Sequence, residues 1–358
     1  MRYLAALLPL IPLLTACSHE PAPSSEPAHG NPFKGGLLSE PANPGLLQNG
    51  DFSANPATNQ FIDKMVREHG FDRQELQNVL GQAHRLDWVL NLMERQAPSG
   101  LPPSGPNGAW IRYRNKFITP DNVQNGVAFW NQYQDALQRA WVEYGVPPEI
   151  IVGIIGVETR WGRVMGKTRI IDALATLAFD YPRRGDYFAA ELETFLLMSR
   201  SEGEDPLTLR GSFAGAMGYG QFMPSSFKTY AVDFDGDGHI NLWDPIDAIG
   251  SVANYFKAHG WVKGDMVAIP ASGQAPNLAY GFNTRYSVDT LTAAGLTPQS
   301  SLGGYQETGL LRLDIGSGYQ YWYALPNFFT ITQYNHSIHY AMAVWQLGTA
   351  VERARQGR

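Results

Sequence analysis

Twelve residues restrict this chain more tightly than any other stretch: DFDGDGHINLWD, from Asp233 to Asp244. Asp233, Asp235 and Asp237 stand at positions 1, 3 and 5 of an EF-hand-type loop, with Gly238 at 6, Ile240 at 8 and Asp244 at 12. Carboxylates this close repel one another unless a divalent cation lies between them. At position 7, His239 would give its backbone carbonyl, so its imidazole is not the ligand. Asp in place of Glu at position 12 is a shorter arm, suited to binding through one oxygen. Calcium is therefore the expected ion, in the extracellular affinity range of about 10⁻⁴–10⁻³ M. The competing reading is an acidic turn without an ion; six matching positions favour the ion. Its expected role is structural, pinning the chain between Gln221 and Tyr255.

Around this loop the chain has 358 residues, enough for a large core and two or three domains. A charged fraction of 17% against 44% hydrophobic describes a folded protein, and a net charge of −6 supplies no general basic field for nucleic acid. The 43 aromatic residues (9 Trp, 17 Tyr, 17 Phe) suit a large core and also a groove that binds sugar rings.

The chain opens MRYLAALLPLIPLLTACS, one early charge and an apolar stretch too short to span a bilayer, which reads as a cleaved signal sequence over residues 1–16. Leu14-Thr15-Ala16-Cys17 resembles the bacterial lipobox, in which the cysteine becomes the lipid-bearing N-terminus. The alternative is a plain signal peptide with Cys17 near the cut by chance. Ser18, not Asp, follows it, which implies the inner face of the outer membrane in Gram-negative cells. With one cysteine in the chain, no internal disulfide exists. Residues 17–48 are rich in Pro, Ser, Gly and Ala and read as a tether. Its length gives a coil span of about 30 Å, or on the order of 100 Å when stretched.

Folded sequence follows, in four expected parts. A helical subdomain covers 49–145. Within it Phe61, Ile62, Met65 and Val66 share helical spacing before Gly70, and Asp72 to Glu75 forms a capping box. One long helix is expected from about Asn122 to Tyr144. A core spans 146–262, opened by Pro148 as a first helical residue. A small antiparallel β subdomain spans 263–331, from β-prone runs at 267–269, 310–313, 319–324 and 328–331. Residues 332–358 return to the core as a last helix from Ser337. The expected class is α+β, mostly helical.

Three stretches carry the chemistry. In GIIGVETRWGR (153–163) Glu158 closes an apolar run at a helix C-terminus. Apolar surroundings and the negative end of the helix both raise a carboxyl pKa, and an acid kept protonated near neutral pH can protonate a glycosidic oxygen. A surface Glu at a helix end is the competing reading. In GSFAGAMGYGQFMPSS (211–226) glycines surround Ser212 and Gln221, whose side chains suit hydroxyl and acetamido groups. In TQYNHSIHYAMAVWQ (332–346) Tyr334, Asn335 and Tyr340 come together; aromatic core and a capping Asn would also explain them.

Together VETRWGR, GAMGYGQFMP and YNHSIHYAMAVW resemble the lytic murein transglycosylases, most closely the membrane-bound lytic transglycosylase B family. The resemblance implies a lysozyme-like core that cleaves the β-1,4 bond between N-acetylmuramic acid and N-acetylglucosamine in peptidoglycan. It implies Glu158 as the single acid/base and Ser212, Gln221, Tyr255, Tyr334, Asn335 and Tyr340 as groove residues. Tyr113 and the Arg183–Arg184 pair are further candidates. No carboxylate occurs between Thr159 and Ile171, so a second one, such as Asp172 or Asp180, must come from elsewhere in space or be unnecessary. The rival functions are a muramidase that uses water and a non-catalytic, calcium-dependent peptidoglycan-binding lipoprotein.

The anchor generates a direct test. Cys17→Ala should move the protein from the membrane fraction to the soluble fraction while its activity persists. A wild type found wholly in the soluble fraction would overturn the lipid anchor.

Overall fold

A computed structural model describes residues 45–96 and 105–357. Cys17 and nearly all of the tether lie outside these residues. The first part is helical: α1 (Pro56–His69), α2 (Arg73–Gly81), α3 (Asp87–Gln96), α4 (Ala109–Arg114), α5 (Pro120–Gln132) and α6 (Gln134–Tyr144). Starts and stops follow local chemistry. Asn55 caps α1 by accepting from Ala57 N at 3.0 Å, Asp72 caps α2 by accepting from Glu75 N at 2.9 Å, and Gly70 ends α1 with φ 63°. The expected single helix from Asn122 to Tyr144 is instead two, broken at Tyr133 (φ −111°, ψ 28°).

The central helix α7 (Pro148–Thr159) is buried on every side from Ile150 to Val157, as its unbroken apolar run requires. After it come β1 (Thr168–Arg169), α8 (Ile170–Asp180), α9 (Gly185–Glu202), β2 (Arg210–Gly211), α10 (Pro224–Tyr230) and α11 (Pro245–Ala258). Among the described residues no single helix is long and apolar enough to cross a membrane.

The β-rich part holds β3 (Ala268–Gly273), β4 (Tyr286–Ser287), α12 (Val288–Ala293), β5 (Leu296–Pro298), β6 (Glu307–Asp314) and β7 (Tyr319–Ala324). These strands form one antiparallel sheet in the order β4-β6-β7-β3-β5. Period-two alternation divides β6 between two cores: Leu310 joins a small cluster with Leu291, Leu296 and Tyr323, whereas Leu311 and Leu313 face the main core. Phe328–Ile331, expected as a strand, lies in α13 (Pro326–Tyr334). Pro326 is preset for the first helical turn, and Phe328 and Ile331, three residues apart, are both fully buried.

The last helix, α14 (Ile338–Arg355), is capped by Ser337, which accepts from Tyr340 N at 3.2 Å. It packs antiparallel to α7, with Glu149 opposite Gly348 and Gly153 opposite Val344. A Cβ on Gly153 would strike the Val344 carbonyl, and one on Gly348 would strike the Glu149 carbonyl. The two backbones are in direct contact, and that is why glycines stand at both crossings.

Candidate active site

Glu158 occupies the last turn of α7, and the chain leaves that turn in an uncommon conformation. Arg160 (φ 51°), Trp161 (φ 56°) and Gly162 (φ 82°) are consecutively left-handed. For the two non-glycine residues this costs roughly 1–2 kcal/mol each. Side-chain bonds hold the turn in place. The Trp161 indole N–H donates to Val152 O at 3.2 Å, and Gly162 N donates to Thr159 Oγ1 at 3.1 Å. The Thr159 hydroxyl also lies 3.0 Å from Tyr219 O, which ties the acid-bearing helix to the Gly-rich loop.

Glu158 keeps partial exposure, while dense surroundings desolvate its carboxyl. Burial pushes its pKa up to about 7 from an ordinary 4.5, against an opposing hydrogen bond from Tyr340. That bond, Tyr340 OH to Glu158 Oε1, measures 2.5 Å. No second carboxylate contributes to the shift. Asp172 is held by Arg169 and His84 N, and Asp180 by Arg85 and Asn55. Each of these two acids is engaged in structural bonds of its own.

Tyrosines surround the acid. The Tyr113 hydroxyl is raised by burial and by the nearby charge of Glu158; His339 packs beside its ring at 5.6 Å between ring centres. Tyr334 and Tyr340 are raised by burial and by Glu158 as well, with stacked rings 6.5 Å apart. Asn335, between them in sequence, is buried, and its side-chain amide has no hydrogen-bond partner among the described residues. It therefore retains its full capacity for a ligand.

Most of the other candidates are tied to backbone groups. Tyr334 OH donates to Gly220 O at 2.6 Å, and Tyr255 OH donates to Gln333 O at 2.7 Å. Tyr255 is itself stacked on His259 at 3.9 Å. Ser212 Oγ accepts from Ala214 N and Ala216 N at 3.2 and 3.0 Å, closing its own loop. Gln221 (φ 54°) donates through Nε2 to Gly218 O at 2.9 Å, leaving its amide oxygen to accept from a ligand. Arg183 and Arg184 sit at the α8–α9 turn, where Arg183 meets Glu94 at 3.5 Å and Arg184 lies over Tyr187 at 4.0 Å.

In the acidic loop, Asp233, Asp235 and Asp237 bring carboxylate oxygens within 4.8 Å of one another. Asp233 also accepts from Gly236 N and Gly238 N at 2.7 and 2.9 Å. Asp244 does not join them. Its carboxylate caps α11, accepting from Ile246 N at 2.6 Å. The acid that reaches back into the loop is Asp247, buried at 1% exposure, which accepts from Phe234 N, Asp235 N and Asn241 N. The first turn of α11 presents it inward, and a twelve-residue loop template does not extend that far. Leu242 O then accepts from Tyr219 N at 2.9 Å, joining this loop to the Gly-rich one.

A carboxylic acid raised to about 7 among tyrosines, on the central helix of a helical core, has the form of a lysozyme-like acid for glycosidic bonds. Comparison with known proteins narrows this. A family profile described as Transglycosylase SLT domain matches residues 53–349. The chain is 71% identical over 356 residues to membrane-bound lytic murein transglycosylase B of Escherichia coli (strain K12), covering 99% of each chain. The solved Escherichia coli lytic transglycosylase in complex with bulgecin A matches with a TM-score of 0.84 at 73% identity, over 89% of this chain and 100% of that one. The structure of that enzyme in complex with calcium gives 0.84 at 72%, over 89% and 100%. The chain belongs to the Transglycosylase SLT domain family.

The raised pKa has a consequence for stability. A carboxyl that titrates at about 7 when folded and near 4.5 when unfolded holds its proton longer in the folded state, so its ionisation disfavours folding. Below pH 4.5 this cost is absent; it grows through the window and is complete above about 7. Glu158→Gln should therefore melt progressively above the wild type as pH rises through that window. A melting-temperature difference equal at pH 4 and pH 8 would count against a buried, protonated Glu158.

Proposed function

We propose that Glu158 serves as the only acid/base of the reaction, first giving its proton and then taking one. The chain is a lytic transglycosylase, and its substrate is peptidoglycan. The observation that carries the assignment is a single carboxyl at a pKa of about 7, to whose shift no second carboxylate among the described residues contributes. A retaining hydrolase needs a nucleophile about 5–5.5 Å away, and an inverting one needs a base about 6.5–9.5 Å away. Asp172 and Asp180 are engaged by Arg169, His84 N, Arg85 and Asn55, and neither adds to the Glu158 shift.

The steps follow. Glu158 protonates the glycosidic oxygen between N-acetylmuramic acid and N-acetylglucosamine, and the C1–O bond breaks as that proton arrives. The acetamido group of the muramic ring stabilises the cationic C1. Carboxylate Glu158 then removes the proton of the C6 hydroxyl, whose oxygen bonds to C1. The product is a 1,6-anhydro ring, no water is consumed, and Glu158 ends protonated as it began. The attacking oxygen belongs to the same ring, so closure gains the entropic advantage of an intramolecular reaction. Tyr340 steadies the carboxylate form between the two steps. Asn335, Gln221 and Ser212 are suited to the sugar substituents, and Tyr113, Tyr255 and Tyr334 to the walls of the groove.

We also assign the acidic loop to Ca²⁺. The donors are all oxygen, three clustered carboxylates with the His239 carbonyl, and Asp247 fits the closing position better than Asp244. This set suits a hard cation. The supported role is to fix the hinge between the Gly-rich loop and α11, the helix of Tyr255. Association with the membrane, through lipid on Cys17 at the periplasmic face of the outer membrane, completes the reading.

Glu158→Gln keeps size and shape but cannot transfer the proton. Loss of activity at or beyond the upper end of about 10²–10⁴-fold is expected, with binding of wall polymer retained. Mass spectrometry of wild-type digests should show products one water lighter than hydrolytic ones and lacking a reducing end. Reducing-end products would favour the muramidase, and a near-normal rate in the variant would remove Glu158 from the chemistry.

Millimolar calcium should raise the melting temperature of the wild type, since it binds only the folded state. The rise should disappear when Asp233 and Asp237 are both replaced by Ala. A wild type indifferent to calcium would refute the site.

A further inference from the structure

We propose that the Tyr219 ring is a positioning group for the reaction: it seats on Gly162 and holds in place the turn that follows Glu158. The inference rests on Glu158 as the acid/base proposed above. Gly162 ends the left-handed run that begins at Arg160. A Cβ on Gly162 would strike Cε1 and Cζ of the Tyr219 ring, so the ring fills the space a side chain would occupy. Gly162 is therefore needed twice, once for its φ of 82° and once as bare backbone on which the ring can lie.

A second ring packs the same turn. The Trp161 indole lies where Cβ atoms on Gly126 of α5 and Gly156 of α7 would stand. Phe129, also on α5, comes within 6.2 Å of Tyr219 between ring centres. The turn is thus held by two aromatic rings, each seated on glycine and each in contact with or close to α5.

Tyr219 can act as a strut because its own backbone is fixed. Its N–H donates to Leu242 O at 2.9 Å, and its carbonyl accepts from the Thr159 hydroxyl at 3.0 Å. The next carbonyl, of Gly220, accepts from Tyr334 OH at 2.6 Å. These backbone bonds survive a change of side chain, so the contribution of the ring can be separated from them. The Tyr219 hydroxyl has no hydrogen-bond partner among the described residues, and burial, Tyr133 and Asp244 all raise its pKa. The flat ring, not the hydroxyl, is the working part.

The consequence falls on the acid. Burial raises the Glu158 carboxyl, and the titratable groups that feel its charge are Tyr340, Tyr113 and Tyr334. A turn freed from its ring lets the carboxyl shift relative to these tyrosines and admits water beside it. The shift slows the reaction, and the water returns the carboxyl toward its ordinary acidity.

Kinetics on soluble glycan strands of peptidoglycan test this with three variants. Misplacing a reacting group by about 1 Å costs on the order of 10²-fold, so Tyr219→Ala should lower kcat by about tenfold to a hundredfold, with KM within about twofold. The alkaline limb of kcat/KM against pH, set by the Glu158 proton, should move from near 7 toward 4.5. Tyr219→Phe, which keeps the ring, should match the wild type in both readouts. Tyr219→Leu keeps apolar bulk without a flat ring and should follow Tyr219→Ala; it takes that variant's place if melting temperatures show that Tyr219→Ala does not fold. Wild-type kcat in a folded Ala or Leu variant, a fall in kcat with the limb unmoved, or a Phe variant as impaired as Ala would overturn the proposal. A Glu158→Gln enzyme that still cleaves would remove the acid/base reading beneath it.

Discussion

The contact on which the site depends is the backbone approach of α7 and α14. Glu158 and Tyr340 are 182 residues apart in sequence, yet their side chains meet at 2.5 Å. Only glycine at Gly153 and Gly348 lets the two helices come close enough for this. A side chain at either crossing would meet a carbonyl oxygen, and packed helices do not yield continuously to such strain. The separation would then be felt at the far end of the pair, where Tyr340 meets Glu158.

Around this contact the structure departs from local rules at one point. Arg160 and Trp161 adopt left-handed backbone that side chains disfavour, directly after the acid. Such outliers persist where their surroundings over-determine them. Here Trp161 is fastened to Val152 within α7 and Thr159 to Tyr219 in the Gly-rich loop. The turn therefore fixes the acid and the Gly-rich loop in one piece. Burial then does the electrostatic work, raising the carboxyl to about 7 against the lowering hydrogen bond from Tyr340.

Much of this was legible in the residues alone, for physical reasons that differ from place to place. The buried run ending at Glu158, the capping box at Asp72 and the aspartate spacing of 233–237 are local patterns, and local chemistry decides them. Phe328–Ile331 was misleading because aromatic and β-branched residues favour strands, yet burial of one helical face overrode that preference. The break at Tyr133 lacks any glycine or proline to announce it. Asp244 matched a loop template, but helix capping claimed its carboxylate and Asp247 took the inward place. The pairing of Tyr340 with Glu158 could be reached only through resemblance, because no periodicity links positions so far apart. For Arg183 and Arg184, the structure places the pair at the α8–α9 turn beside Glu94 and Tyr187.

Chain order gives the α7–α14 contact a temporal side. The acid lies near the middle of the sequence, and the hydroxyl that steadies its carboxylate arrives with the final helix. Until α14 docks, α7 has an uncovered apolar flank, and Glu158 faces water rather than protein. In water a carboxyl relaxes to its ordinary acidity and is ionised at neutral pH. A chain in which α14 has not yet docked therefore lacks the raised carboxyl. The raised carboxyl and its tyrosine partner come together only when the last 18-residue helix packs on α7.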